Sequence, residues 1–236
     1  MKKRKPSALY KYIETLQGDR PWGSFLDAGT GENSISWVQS LETEHWTAVT
    51  GSKVEAERVR QVVRDSQRQQ GRIEQGNWGD PGFLNNEVYD TVLADYLLGA
   101  VEGFAPYLQA YLFSRLKPLT GDRLYITGLE PYVPVSRPET KAGRLLWEIG
   151  RFRDACVLLA GANPYREYPA QWVIHQLDLA GYDVLQVKHF KISYRAQFVN
   201  AQIEIALNSL KDVNDSTLAK TPVSYTHLTL PTTPYV

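Results

Sequence analysis

The chain has 236 residues, of which 43% are hydrophobic, and 26 Lys and Arg balance 26 Asp and Glu. That length and apolar share suit one globular domain with a sizeable core. The zero net charge removes any bulk electrostatic argument for nucleic acid or an acidic membrane surface as a partner.

Residues 7–17 read as a helix, and GDRPWG after it as a turn-rich break. A short strand is expected at 24–27, a helix at 34–41 and a second strand at 45–50. Residues 54–67 carry a helical period, with Val59, Val62 and Val63 on one face. A third strand fits 72–78, before the turn GDPG, and YDTVLA at 89–94 is a fourth. A helix is predicted over 104–116, with Tyr107, Leu108, Tyr111 and Leu112 aligned, and RLYIT at 123–127 is a fifth strand. Strands alternating with helices imply an α/β fold with a doubly wound, mostly parallel sheet.

Past Glu130 the pattern changes. EPYVPVSRPET reads as an irregular loop, 142–159 as a long helix, GANPYREYP as a second loop and 170–180 as a helix capped by Gly181. DVLQVKHFKISY, 183–194, is expected to be a long sixth strand, and Ala196, Val199, Ile203, Leu207 and Leu210 mark a last helix. From about Pro222 the text PVSYTHLTLPTTPYV has no helical period and does not continue what precedes it. It resembles translated sequencing-adapter read-through, so the expected domain is 1–221 and the remainder a non-native or disordered tail. The alternative is that VSYTHLTL is a real strand, since its residue types favour one.

Other chemistry is thin. Cys156 is the single cysteine, which excludes an internal disulfide and fits a reducing, cytoplasmic setting. It sits in the apolar run CVLLAG, where a buried thiol is favoured over a nucleophile. His45, His175, His189 and His227 lack metal-ligand spacing, so no metal is expected. No apolar run approaches the roughly 20 residues that span a bilayer. MKKRKPS has no apolar region behind it, so a solvated basic end is favoured over a secretory signal or an organelle-targeting remnant.

The informative stretch is FLDAGTGENS, residues 25–34. A buried strand ends in Asp27, and Gly29 and Gly31 follow before a helix. In open α/β sheets, ligands lie beyond the carboxyl ends of the strands, where glycines let the backbone approach them. An acid at Asp27 would repel a pyrophosphate and suits a ligand bearing positive charge or hydroxyls. LDAGTG resembles the first motif of the class I S-adenosylmethionine-dependent methyltransferases. The resemblance covers residues 7–210 in element order. It includes YDTVLADYLL, like the fourth-strand motif, and LKPLTGDRLYIT, like the turn into the fifth strand.

The resemblance implies S-adenosyl-L-methionine as cofactor. Asp27, Ala28, Gly29, Thr30 and Gly31 would hold its methionine end. The acid that usually closes the second strand and binds the ribose is absent; Thr50, Gly51 and Ser52 stand there, with Ser52 or Glu55 as substitutes. Asn77 would bond the adenine edge and Trp78 stack on it, or Trp78 is a core residue beside a turn amide. Asp95 and Tyr96 end the fourth strand, where such proteins place substrate-facing residues, and Asp95 would orient or deprotonate a nucleophile or else cap the next helix. The Asn/Asp-Pro-Pro-Tyr/Phe signature of amino-directed nucleic-acid and glutamine methyltransferases is missing. A seventh, antiparallel strand, which the resemblance also predicts, is not found.

The expected function is therefore methyl transfer to a small molecule, an anionic or aromatic one, with a protein acceptor as an alternative and no nucleic acid or membrane indicated. Residues 131–170, bearing Tyr132, Trp147, Phe152, Tyr165 and Tyr168 with Arg144, Arg151 and Arg153, would cover the substrate. Competing readings are a non-catalytic binding module with the same fold and an NAD(P)-dependent oxidoreductase. The latter wants a third glycine where Ser34 stands and an acid after the second strand. Composition leaves the oligomeric state open.

Overall fold

The computed structural model describes residues 7–64, 70–133, 136–192 and 194–213. The tail from Pro222, including VSYTHLTL, lies outside them. The chain divides into two units, Met1–Glu130 with Tyr165–Phe190, and Pro131–Pro164 with Lys191–Val236. The first therefore contains Tyr165, Arg166 and Tyr168 of the segment 131–170, and the second contains Tyr132, Trp147 and Phe152 with Arg144, Arg151 and Arg153.

The first unit is built on five parallel strands: β1 (Ser24–Asp27), β2 (His45–Thr50), β3 (Gly71–Gln75), β4 (Tyr89–Asp95) and β5 (Thr120–Thr127). Their order is β3-β2-β1-β4-β5. All four pairings are parallel, with Asp27 opposite Ala48 on β2 and opposite Leu93 on β4. A parallel sheet needs cover on both faces, so its strands are apolar on both. Alternation along β1 and β4 serves this. Leu26, Val92 and Ala94 enter a core with Trp78, Leu97, Leu112, Phe113 and Leu116. Phe25 and Leu93 enter another with Tyr10, Trp22, Ile35, Trp37 and Val59. The helices on this second side are α1 (Ala8–Gln17), α2 (Glu32–Val38) and α3 (Lys53–Arg64). Ser7 caps α1, its hydroxyl accepting from the Tyr10 amide at 3.3 Å.

Two sequence expectations fail for identifiable reasons. Of the helix predicted over 104–116 only a 3-10 turn at Leu108–Tyr111 and α5 (Leu112–Leu116) form; α4 (Leu97–Ala100) and a first 3-10 turn, Val101–Gly103, precede the predicted span. Pro106 lies inside the predicted span. It lacks an N–H and pushes the residue before it off helical geometry. The next residue, Tyr107, has φ 69°. The sixth strand is also absent: residues 183–192 form no ladder. A strand exists only through pairing. Among the described residues β5 is the sheet's edge, and nothing pairs with its outer side.

The second unit is helical, with α6 (Lys141–Leu159) and α8 (Ala196–Leu210). Between these in the chain, α7 (Ala170–Leu179) belongs to the first unit and adds Leu177 to its core. In the second unit Cys156, Ala206 and Leu210 are buried together. Burial pushes the Cys156 thiol up to about 11, so it is a thiol, not a thiolate, at neutral pH. Thiol titration should find it unreactive in the folded chain at pH about 7 and fully reactive in denaturant; equal reactivity in both would contradict its burial.

Candidate functional site

Strand order reverses direction between β1 and β4, where the chain leaves one half of the sheet for the other. Brought side by side there are the ends of both strands, Asp27 and Asp95. A cavity of about 610 Å³ opens above them; ligand sites usually measure about 300–1,000 Å³.

The loop 28–31 forms one wall, and its path is fixed by bonds to three neighbours. The Ala28 amide donates to the Leu93 carbonyl at 2.8 Å and the Thr30 amide to the Val49 carbonyl at 2.7 Å. The Trp78 indole N–H donates to the Ala28 carbonyl at 2.8 Å. Glycine is required at position 29 because a Cβ there would lie 2.9 Å from Leu97 Cδ1. Across the cavity a Cβ on Gly51 would lie 2.8 Å from the ring of Phe104, so that residue too must be glycine for the aromatic to close in.

Of the residues singled out from sequence, Ala28, Gly29, Thr30, Gly31, Thr50, Ser52, Asn77, Trp78 and Asp95 line this cavity, and Asp27 and Tyr96 do not. Tyr96, with φ 50°, turns the chain from β4 into α4. Asp27 lies wholly buried beneath the loop.

Several lining side chains are already engaged. The Asn77 carboxamide donates to the Phe104 carbonyl at 2.8 Å and accepts from the Gly79 amide at 2.9 Å. Trp78 is 4% exposed and meets Phe83 edge-to-face, which makes it a core residue that supports the loop. Asp95 accepts from the Tyr10 hydroxyl at 2.7 Å and from the Thr127 hydroxyl. The Thr50 hydroxyl accepts from the Ser52 amide, and the Ser52 hydroxyl from the Glu55 amide, both at 3.2 Å.

Glu55 is set by that last bond. It stands in the first turn of α3, lines the cavity and faces the glycine loop; its Oε1 would lie 3.6 Å from a Cβ on Gly31. Arg58 is 3.3 Å from its other oxygen, on the exposed side. Tyr165 reaches the same rim from the segment before α7. Its neighbours anchor it: Gln109 Nε2 donates to the carbonyls of Leu98 at 3.0 Å and Arg166 at 2.9 Å, and the Arg166 amide donates to the Gly99 carbonyl at 3.2 Å. Partial burial raises the Tyr165 phenol above its ordinary range, and the Glu55 carboxylate raises it further.

The charge of the cavity is one-sided. Glu32, Glu55 and Asp95 line it, and none of the described lining residues is Lys, Arg or His. Asp27 adds a fourth acid beneath. Neither of its oxygens has a hydrogen-bond partner, and the Thr30 hydroxyl has none either. Burial pushes this carboxyl up to about 7. Ser34, Thr30 and the Gly29 amide are near enough to oppose the rise without closing a bond of good geometry, and Asp95 adds to it.

No family model and no curated protein matches the sequence. Solved structures do match. The YcgJ protein of Bacillus subtilis is 13% identical, with a TM-score of 0.58 over 89% of this chain and 86% of that one. A cyclopropane synthase of Mycobacterium tuberculosis is 17% identical, with a TM-score of 0.54 over 92% and 74%. Coclaurine N-methyltransferase, bound to N-methylheliamine and S-adenosylhomocysteine, is 17% identical, with a TM-score of 0.51 over 86% and 56%. The chain has the Rossmann-like methyltransferase fold. Within that fold Val101 and Phe104 line the cavity without a motif in the sequence to mark them, while Glu32 and Leu97 do so from inside FLDAGTGENS and YDTVLADYLL, and Tyr165 from the segment expected to cover the substrate.

Among the described residues no helix is long and apolar enough to cross a membrane, and no cluster of His, Cys, Asp and Glu could hold a metal.

Proposed function

We propose that the chain binds S-adenosylmethionine in this cavity and transfers its methyl group to a small-molecule acceptor. The observation that carries the reading is a glycine-walled cavity with acids and no base on its lining, at the switch point of a methyltransferase fold. A dinucleotide would set its pyrophosphate against Glu32, Glu55 and Asp95 with no cation to offset them, which argues against the oxidoreductase. A ligand carrying a sulfonium and an ammonium meets the opposite condition.

The residues fit such a ligand. Loop 28–31 leaves backbone open toward the methionine end, and the unpaired Asp27 carboxyl beneath it is a counter-charge awaiting a cation. Glu55 takes the ribose hydroxyls in place of the absent acid after β2, because it stands on the cavity lining in the first turn of α3 and a carboxylate can accept from two hydroxyls. Phe104, with Gly51 beneath it, offers a face to the adenine. When bound, the cofactor supplies a methyl already activated for transfer. The chain's own part is then to orient the acceptor and exclude water, with Tyr165 at the rim. Asp95, already accepting from two hydroxyls, contributes negative charge and positions the acceptor instead of removing its proton. The acids on the lining favour a neutral or cationic acceptor with an aromatic or apolar body over an anionic one.

Titration calorimetry of the folded chain with S-adenosylhomocysteine and, in parallel, with NADH tests this. S-Adenosylhomocysteine should bind and NADH should not. Glu55→Gln should weaken binding roughly tenfold, the worth of about 1.5 kcal/mol for hydrogen bonds to a charged group. Binding of NADH alone would overturn the reading.

A further inference from the structure

Asp27 forms no part of the cavity lining, yet it is an acid in the interior of the sheet with neither oxygen paired. A carboxylate in such a place is costly unless a counter-charge is supplied. The strand positions opposite it, Ala48 and Leu93, are apolar. The groups that act on it are Ser34 from α2, Thr30 and the Gly29 amide from the loop, and Asp95 from the end of β4; none is basic. Tyr10 from α1 feels its charge in turn, and Glu32 and Glu55 on the cavity lining are also acids. Every titratable group named here is an acid or a phenol. A cation that neutralises Asp27 therefore has to come from a ligand on the far side of the loop.

The cofactor proposed above exists in two forms that differ by one charge at the sulfur: the methyl-bearing sulfonium and the neutral thioether left after transfer. We infer that Asp27 is the residue by which this chain distinguishes the sulfonium form from the thioether product, giving up its proton to solvent as the cationic form binds. The inference rests on the cofactor reading and adds a specificity determinant to it. In the ligand-free protein, burial holds the carboxyl protonated up to near neutral pH. Binding of the sulfonium form below that range must also ionise Asp27, and above it meets a carboxylate already formed. Affinity for the sulfonium form therefore rises with pH and levels off once Asp27 is ionised. The thioether, which keeps only the ammonium, follows the same curve less steeply. Product leaves more readily for the same reason.

Calorimetry of the full chain with S-adenosylmethionine and with S-adenosylhomocysteine, at about pH 6 and about pH 8, tests the inference. The ratio of the two affinities should shift toward S-adenosylmethionine by several-fold, up to about the tenfold that one unit of pKa displacement implies. Titrations at neutral pH in two buffers of different ionisation heat should show more protons released by S-adenosylmethionine than by S-adenosylhomocysteine. In Asp27→Asn the ratio should become flat with pH; a slope as steep as the wild-type slope would overturn the role of Asp27. If that variant does not fold, the wild-type ratio and proton count decide. Two bound ligands whose ratio is constant with pH and whose proton release is equal would overturn the role of Asp27 and leave the cofactor reading standing. Binding of neither ligand at either pH would overturn both.

Discussion

Gly31→Arg should abolish S-adenosylhomocysteine binding while leaving the fold intact, weakening affinity by at least about a hundredfold, or ~2.7 kcal/mol. The position accepts a side chain without strain. Gly31 has φ −140° and ψ 178°, extended backbone open to any residue, and a Cβ there would meet only Glu55 Oε1, at 3.6 Å. Gly31 and Glu55 both line the cavity, so an arginine at 31 stands beside that carboxylate and is expected to pair with it there. It would fill the space and also neutralise the acid proposed for the ribose. Titration calorimetry beside a thermal melt reads the two effects separately. Gly29→Arg is a poorer variant because its Cβ already displaces Leu97 from the core. Retained affinity in a folded Gly31→Arg protein would place the ligand elsewhere.

Trp78 carries the second large effect, on stability. The side chain is 4% exposed, and its indole N–H is the donor for the buried Ala28 carbonyl. Trp78→Ala should cost ~3–5 kcal/mol for the cavity it leaves. Trp78→Phe keeps much of the packing but strands the carbonyl, at about 1–3 kcal/mol. Both should weaken cofactor binding indirectly, by loosening the loop. Were Trp78 instead an exposed platform for the adenine, Trp78→Phe would retain full stability and alter affinity alone. Urea denaturation together with calorimetry separates these outcomes.

What was legible in the sequence was whatever local pattern determines. LDAGTG announced a strand, a tight glycine turn and a helix, and the structure builds the cavity on that loop. The five strands followed from apolar runs and turn residues. Side-chain pairing was not legible, because it depends on partners distant in the chain. Asn77 looked free to read an adenine, yet it is held by the Phe104 carbonyl 27 residues on. Asp95 read as a group to orient or deprotonate a nucleophile or else cap the next helix, and no local pattern showed that Tyr10 reaches it across 85 residues. The sixth strand failed for the complementary reason: residues 183–192 have strand-forming side chains, but a strand also needs a partner, and none of the described residues pairs with them. Glu55, by contrast, was in view, but only the Ser52 cap and the start of α3 decide that it faces Gly31 and not solvent.

The most direct test of the central claim is a crystal structure of the chain grown with S-adenosylhomocysteine. The account predicts ligand density against loop 28–31, with the ribose hydroxyls on Glu55 and the adenine beside Phe104. A ligand bound elsewhere, or an empty cavity at saturating ligand, would contradict it.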